Sequence, residues 1–197
     1  VQIIGVSNST KMILSEKPIN LDKWEHLIKN GDKANSKVFF DFIKSKNLRN
    51  SIFIDNTASQ IIAKEYLKYL RNNIGIVTCN KIACADKLKN YKKLKIISRK
   101  YNSPFLFETN VGAGLPIIDT LNNLISSGDK IIKIEAILSG SLNYIFNNFK
   151  KEKRFIDIVK KAEDLGYTEP DPKIDLSGID VARKILILAR ESGQTLN

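Results

Sequence analysis

The chain has 197 residues, 43% of them apolar and 27% charged, which is ordinary globular composition, able to bury a core and well away from disordered chains. Its formal net charge is +11, yet Lys supplies 26 of the 32 basic residues and Arg only 6. Nucleic-acid readout leans on the bidentate Arg fork and on aromatic stacking platforms, neither of which the lysines are arranged to make, so no nucleic-acid partner is expected. No run approaches the ~18 consecutive apolar residues of a membrane span, and no basic-then-apolar leader opens the sequence, so no membrane partner is expected and a cytoplasmic location follows. Cys79 and Cys84 are the two cysteines; they supply neither a disulfide framework nor a zinc site and are expected to be reduced.

Taken in chain order, short β-rich runs alternate with longer amphipathic ones. Strands are predicted at 52–54, 75–78, 105–107 and 131–138. Between the first two, 59–72 carries Ile61, Ile62, Tyr66, Leu67 and Leu70 at near-helical spacing, opened by the cap candidates Thr57 and Ser59 and stopped before Gly75. A second helix is predicted over 86–101 and a third over 116–128, where Pro116 suits the first turn. This βαβ alternation argues for a mostly parallel sheet, whose ligands gather at the carboxyl ends of its strands. After Leu138 the pattern turns helical, over about 142–151, 155–165 and 178–192. The segment Gly166-Tyr167-Thr168-Glu169-Pro170-Asp171-Pro172 between the last two is stiffened by its prolines and is predicted to be a fixed loop.

The last helix holds the most chemistry. Asp180 and Lys184 stand one turn apart, with Ile187 and Leu188 flanking their shared face, which suggests a lysine at an apolar boundary. Burial lowers a lysine pKa and a neighbouring carboxylate raises it, so the pair would hold a proton donor in position. The same spacing also serves an ordinary surface ion pair worth ~0.3–0.5 kcal/mol. Upstream, Glu169, Asp171 and Asp175 crowd carboxylates into the stiff loop, where they would bind a substrate ammonium or partner Lys184. Equally, Asp175 would cap the helix and Asp171 would merely solvate a turn. Asn110-Val111-Gly112-Ala113-Gly114-Leu115-Pro116 follows a strand and precedes a helix but lacks the GxGxxG of a dinucleotide loop. Its glycines more readily allow a tight turn whose carbonyls collect around a monovalent cation.

Several segments in this order resemble the homoserine dehydrogenases, most nearly the dehydrogenase part of bifunctional aspartokinase–homoserine dehydrogenases. They are Asp55-Asn56-Thr57-Ala58-Ser59, Asn80-Lys81, Glu108 through Pro116, Gly166 through Pro172, and Asp175 through Lys184. The resemblance implies NAD(P)-dependent interconversion of L-homoserine and L-aspartate 4-semialdehyde, a step toward threonine, methionine and isoleucine. By it, Lys184 is the catalytic proton donor and acceptor, while Glu169 and Asp180 hold the substrate with Asp175 and Tyr167 nearby. Gly166 would lie against the nicotinamide, and Thr57 and Lys81 would contact the cofactor. Glu108, Val111, Ala113 and Leu115 match sodium-binding positions, largely through main-chain oxygens, and a homo-oligomer, dimer or tetramer, is implied.

The fold so implied is α/β: an incomplete Rossmann-like, parallel-sheet nucleotide-binding domain over 1–136, then part of an α+β substrate and dimerisation domain over 137–197. Val1 falls at what resembles the second strand, so a first strand, its Gly-rich loop and any kinase domain are expected upstream, with a further segment after the last helix. A non-catalytic oligomerisation remnant of the same fold is the competing reading, against which Lys184, Asp180 and Glu169 together argue. Ser7-Asn8-Ser9-Thr10-Lys11 leans toward NADP over NAD, through hydroxyls and one positive charge.

Overall fold

The computed structural model describes residues 1–150, 154–168 and 171–197. It opens with a small antiparallel sheet of β1 (Gly5–Ser7), β2 (Lys11–Leu14) and β3 (Asp32–Lys33), in that order. The turn between β1 and β2 is tied by Asn8, whose Oδ1 accepts from the Thr10 and Lys11 N–H groups at 2.9 and 2.8 Å. A 3-10 turn and α1 (Trp24–Lys29) precede β3, and α2 (Ser36–Lys46) follows it. Asn35 starts α2 by accepting from the Lys37 and Val38 N–H groups, and Asn47 closes it in the left-handed region, φ 46°.

The expected parallel sheet then forms from β4 (Ile52–Asp55), β5 (Gly75–Thr78) and β6 (Phe105–Leu106), with β5 in the middle. Its crossovers are α3 (Gln60–Leu70), capped by the Ser59 hydroxyl, and the pair α4 (Ile82–Ala85) and α5 (Leu88–Lys100). Residues alternate across this sheet because successive side chains of a strand point to opposite faces. Phe53, Ile76 and Phe105 share one face, where the Phe53 ring stacks on Tyr69 of α3 at 4.2 Å and Tyr69 meets Phe40 of α2 edge-on at 5.0 Å. Ile52, Ile54, Val77 and Leu106 share the other face and are exposed.

Helix α6 (Ile117–Ser126) follows the glycine loop, and α7 (Gly140–Asn148), α8 (Phe155–Asp164), α9 (Pro172–Leu176) and α10 (Ile179–Glu191) complete the described elements. Helices α7 and α8 bury Ile145, Ile158, Val159 and Ala162 between them. Helix α10 instead packs on α4 and α6, sending Ile187 and Leu188 into the main core beside Tyr66, Ile76 and Leu121.

Two expectations are corrected here. The strand predicted at 131–138 is absent among the described residues: the segment is irregular, with Ile132 97% and Ile137 76% exposed. Alternating apolar residues favour extended backbone, but a strand also needs a neighbour to pair with, and none of the described strands pairs with this segment. It runs instead beside α10, across a groove of about 420 Å³ lined by Ile131, Ile134, Val181 and Ile185 among others. The loop expected before the last helix contains α9, started by Asp171, which accepts from the Lys173 N–H at 3.1 Å with Pro172 in the first turn. Asp171 is thus a cap. Asp175 lies inside α9 and does not cap α10, whose cap position is Gly178 at φ 68°. No helix among the described residues is long and apolar enough to cross a membrane.

Candidate functional site

The carboxyl ends of β4 and β5 form one wall of the site. Thr57 follows β4, its N–H held by Asp55 Oδ1 at 2.8 Å and its hydroxyl oxygen accepting from the Ser59 N–H at 3.0 Å. Asn80 and Lys81 follow β5. Lys81 reaches across to α10, with Nζ 3.2 Å from Asp180 Oδ1. The other carboxylate oxygen, Oδ2, lies 2.8 Å from Lys184 Nζ, one turn further along the helix. Lys184 also donates to the Leu138 carbonyl at 2.7 Å and is only 19% exposed. It is therefore anchored to backbone and largely withdrawn from water, unlike the surface ion pair that the same spacing allows.

Asp180 is thus a carboxylate between two ammonium groups, one from each side of the site. Burial pushes its carboxyl up, but the Lys184 hydrogen bond and the charge of Lys81 outweigh that and hold it below the usual 3.8. Of the three donors on the Lys184 ammonium, one goes to Asp180 and one to Leu138, and the third has no hydrogen-bond partner among the described residues.

On the α7–α9 side, the Ser141 hydroxyl donates to Asp175 Oδ1 at 2.7 Å and lies 2.9 Å from that of Ser139, which caps α7. Tyr167 is exposed, with its ring 4.7 Å from that of Tyr144. Gly166 has φ 71°, and among the described residues nothing lies within 4 Å of where a Cβ would be. Glu169 lies outside the described residues. The Leu138 carbonyl, Ser139 and Ser141 are additions that residue-by-residue reading missed. The available signal was Ser-Gly-Ser ahead of an apolar helix, a capping pattern that also places a second hydroxyl inward.

In the glycine loop, Glu108 spends its carboxylate on α6, accepting from the Ile118 and Asp119 N–H groups, both at 2.8 Å. Gly112 and Ala113 both have positive φ, 82° and 52°, which curls the backbone. The Gly112 and Leu115 carbonyls accept from the Leu115 and Ile117 N–H groups, whereas no such bond engages those of Val111 or Ala113 among the described residues. The β1–β2 turn does not present its positive charge: Lys11 donates to the Gly31 carbonyl at 2.9 Å.

A three-stranded parallel sheet with helical crossovers, its carboxyl-end loops facing a lysine–carboxylate pair on a second set of helices, places the protein in the nucleotide-binding α/β class. Residues 1–108 match the family model described as "Homoserine dehydrogenase, NAD binding domain", and residues 116–197 match the one described as "Homoserine dehydrogenase". The chain belongs to the homoserine dehydrogenase family. It is 45% identical to "Bifunctional aspartokinase/homoserine dehydrogenase 1, chloroplastic" of Arabidopsis thaliana, over 100% of this chain and 22% of that protein. It is 47% identical to the homoserine dehydrogenase of Schizosaccharomyces pombe, over 97% of this chain and 53% of that protein. A hyperthermophilic archaeal homoserine dehydrogenase, solved in complex with NADPH, superposes with a TM-score of 0.78 at 25% identity, covering 97% of this chain and 60% of the other.

Proposed function

We propose that these residues furnish the dehydrogenase site that interconverts L-homoserine and L-aspartate 4-semialdehyde with a nicotinamide dinucleotide. The observation that carries this reading is Asp180 bridging Lys81, at the lip of the parallel sheet, and Lys184, on the facing helix. A dinucleotide would be held by Thr57 and Lys81 at the sheet and by the open backbone at Gly166, where the absent Cβ leaves room for a ring. When bound, it supplies or takes up hydride at the reacting carbon. Lys184 uses its third N–H to protonate the aldehyde oxygen during reduction and accepts the alcohol proton during oxidation. Asp180 keeps that ammonium aimed, and the substrate amino group is assigned to Glu169 with Asp175 and Tyr167 alongside.

Finer features extend the same reading. The Val111 and Ala113 carbonyls are suited to a monovalent cation such as sodium, in a loop completed by Glu108 and Leu115. For the 2′-phosphate of NADP, the turn from Ser7 to Thr10 offers hydroxyls, while Lys11 is engaged elsewhere. A homo-oligomer would bury some of the apolar side chains that this chain leaves exposed.

The test is Lys184→Ala assayed with homoserine and each dinucleotide. Turnover is expected to fall by about 10²–10⁴-fold, with dinucleotide affinity nearly unchanged. Equal turnover of variant and parent overturns the reading.

A further inference from the structure

Behind the lip lies a buried polar cluster with no part in the chemistry above. Asp55, Tyr66, Thr78 and Asn80 are each no more than 2% exposed. Asp55 Oδ2 accepts from the Tyr66 hydroxyl at 2.6 Å and from Asn80 Nδ2 at 3.1 Å, while Oδ1 takes the Thr57 N–H at 2.8 Å. The Tyr66 hydroxyl has one proton and gives it to the carboxylate, and the single proton of the Thr78 hydroxyl is shared between the Tyr66 oxygen at 2.7 Å and the Asp55 carbonyl at 3.1 Å. The Thr78 hydroxyl oxygen in turn takes the Asn80 N–H at 2.8 Å. Asn80 also donates to the Ser59 carbonyl at 3.0 Å and accepts from the Ile82 N–H at 3.1 Å.

Among the described residues no lysine or arginine pairs with Asp55, so its carboxylate depends on these neutral donors. A buried carboxylate left short of donors is costly, which makes the arrangement close to all-or-none. All of these bonds but one start or end on the two loops that follow β4 and β5, or on the side chain of Tyr66 behind them; the exception joins the Thr78 hydroxyl to the Asp55 carbonyl at 3.1 Å, across the ends of the two strands. The backbone of Thr57 is fixed from one end of the cluster and that of Lys81, the next residue after Asn80, from the other.

We infer that Asp55, Tyr66, Thr78 and Asn80 are positioning residues that hold the dinucleotide-binding lip in its binding conformation before the ligand arrives. The inference rests on the dinucleotide reading proposed above. Loops held in advance lose less conformational freedom on binding, so weakening the cluster costs cofactor affinity first.

Tyr66→Phe keeps the ring packed against Phe105 and removes only the hydroxyl. Tyr69→Phe is the matched control: the same change three residues along α3, at a buried tyrosine outside the cluster. In the protein as the cell makes it, binding of each nicotinamide dinucleotide is followed by fluorescence titration, with kcat, both KM values and melting temperature measured alongside. Tyr66→Phe is expected to weaken dinucleotide binding about 5–10-fold, with kcat and the homoserine KM within about 2-fold of the parent. Tyr69→Phe is expected to bind as the parent does, and Asp55→Asn to bind more weakly than Tyr66→Phe. Unchanged dinucleotide affinity in Tyr66→Phe, whatever its melting temperature, overturns the inference, and that variant decides even if Asp55→Asn does not fold. A parent that binds neither dinucleotide overturns the functional reading and this one with it, and that outcome is seen before any substitution is made.

Discussion

Asp180 is shared between two ammonium groups, and this sharing has a pH signature. Its carboxyl is held below 3.8 in the folded protein, so the folded state binds that proton less readily than the unfolded chain does. The linkage therefore adds stability above the unfolded value, and that increment disappears as pH falls through the folded one. Asp180→Asn removes a titrating group from this window. The melting temperature of the variant is expected to fall less steeply than that of the parent as the solution is acidified below about pH 4. Parallel acid limbs would show that the two lysines do not bias this carboxyl. The effect is modest because half of the side chain is open to solvent.

Helix α10 joins the proposed site to the core. Its first half carries Asp180 and Lys184, and its last turn carries Arg190 and Glu191, both buried. Glu191 accepts from Lys95 Nζ at 2.9 and 3.1 Å, from Asn122 Nδ2 at 3.1 Å and from the Tyr91 hydroxyl, while Arg190 donates to the Cys84 carbonyl at 2.7 Å. Burial, then the charge of Glu191, pushes the Tyr91 hydroxyl well above its usual range. Glu191→Ala strands three donors at once and is expected to lower stability by about 2–4 kcal/mol in denaturant unfolding. A loss below about 0.5 kcal/mol would mean that solvent replaces the carboxylate.

Much of this element scale was legible in the residues. Strands β4 and β5 and helices α3 and α10 lie within two residues of their predicted bounds, because alternation, a Ser cap and an apolar face are local properties. The segment at 131–138 has the same local pattern and is no strand, because pairing is not local. The Asp180–Lys184 spacing was readable for the same reason that the Lys81–Asp180 contact was not: one spans a single helical turn, the other brings residues 81 and 180 together through the fold. Asp171 and Asp175 show the limit most clearly: the sequence offered Asp175 as a cap and Asp171 as a turn residue, and only the position of α9 makes Asp171 the cap and puts Asp175 inside the helix.

At the scale of the whole molecule, parallel sheets are normally covered on both faces. Here one face of β4–β5–β6 is packed and the other leaves Ile52, Ile54, Val77 and Leu106 exposed, in adjacent rows. The 197-residue chain by itself is expected to bind the dye ANS in its native state, with an enhancement that falls when Ile54 and Leu106 are both replaced by Thr. Dye fluorescence equal in the chain and the double variant would show that the face does not act as an apolar patch.

About 10 Å of continuous helix separates Lys184 from Glu191 in α10. If Lys184 reacts as proposed, whatever loosens the inner end of the helix swings that ammonium at its outer end, so a screen that scores turnover alone would count Glu191 among the residues of the pocket although its described partners are Tyr91, Lys95 and Asn122.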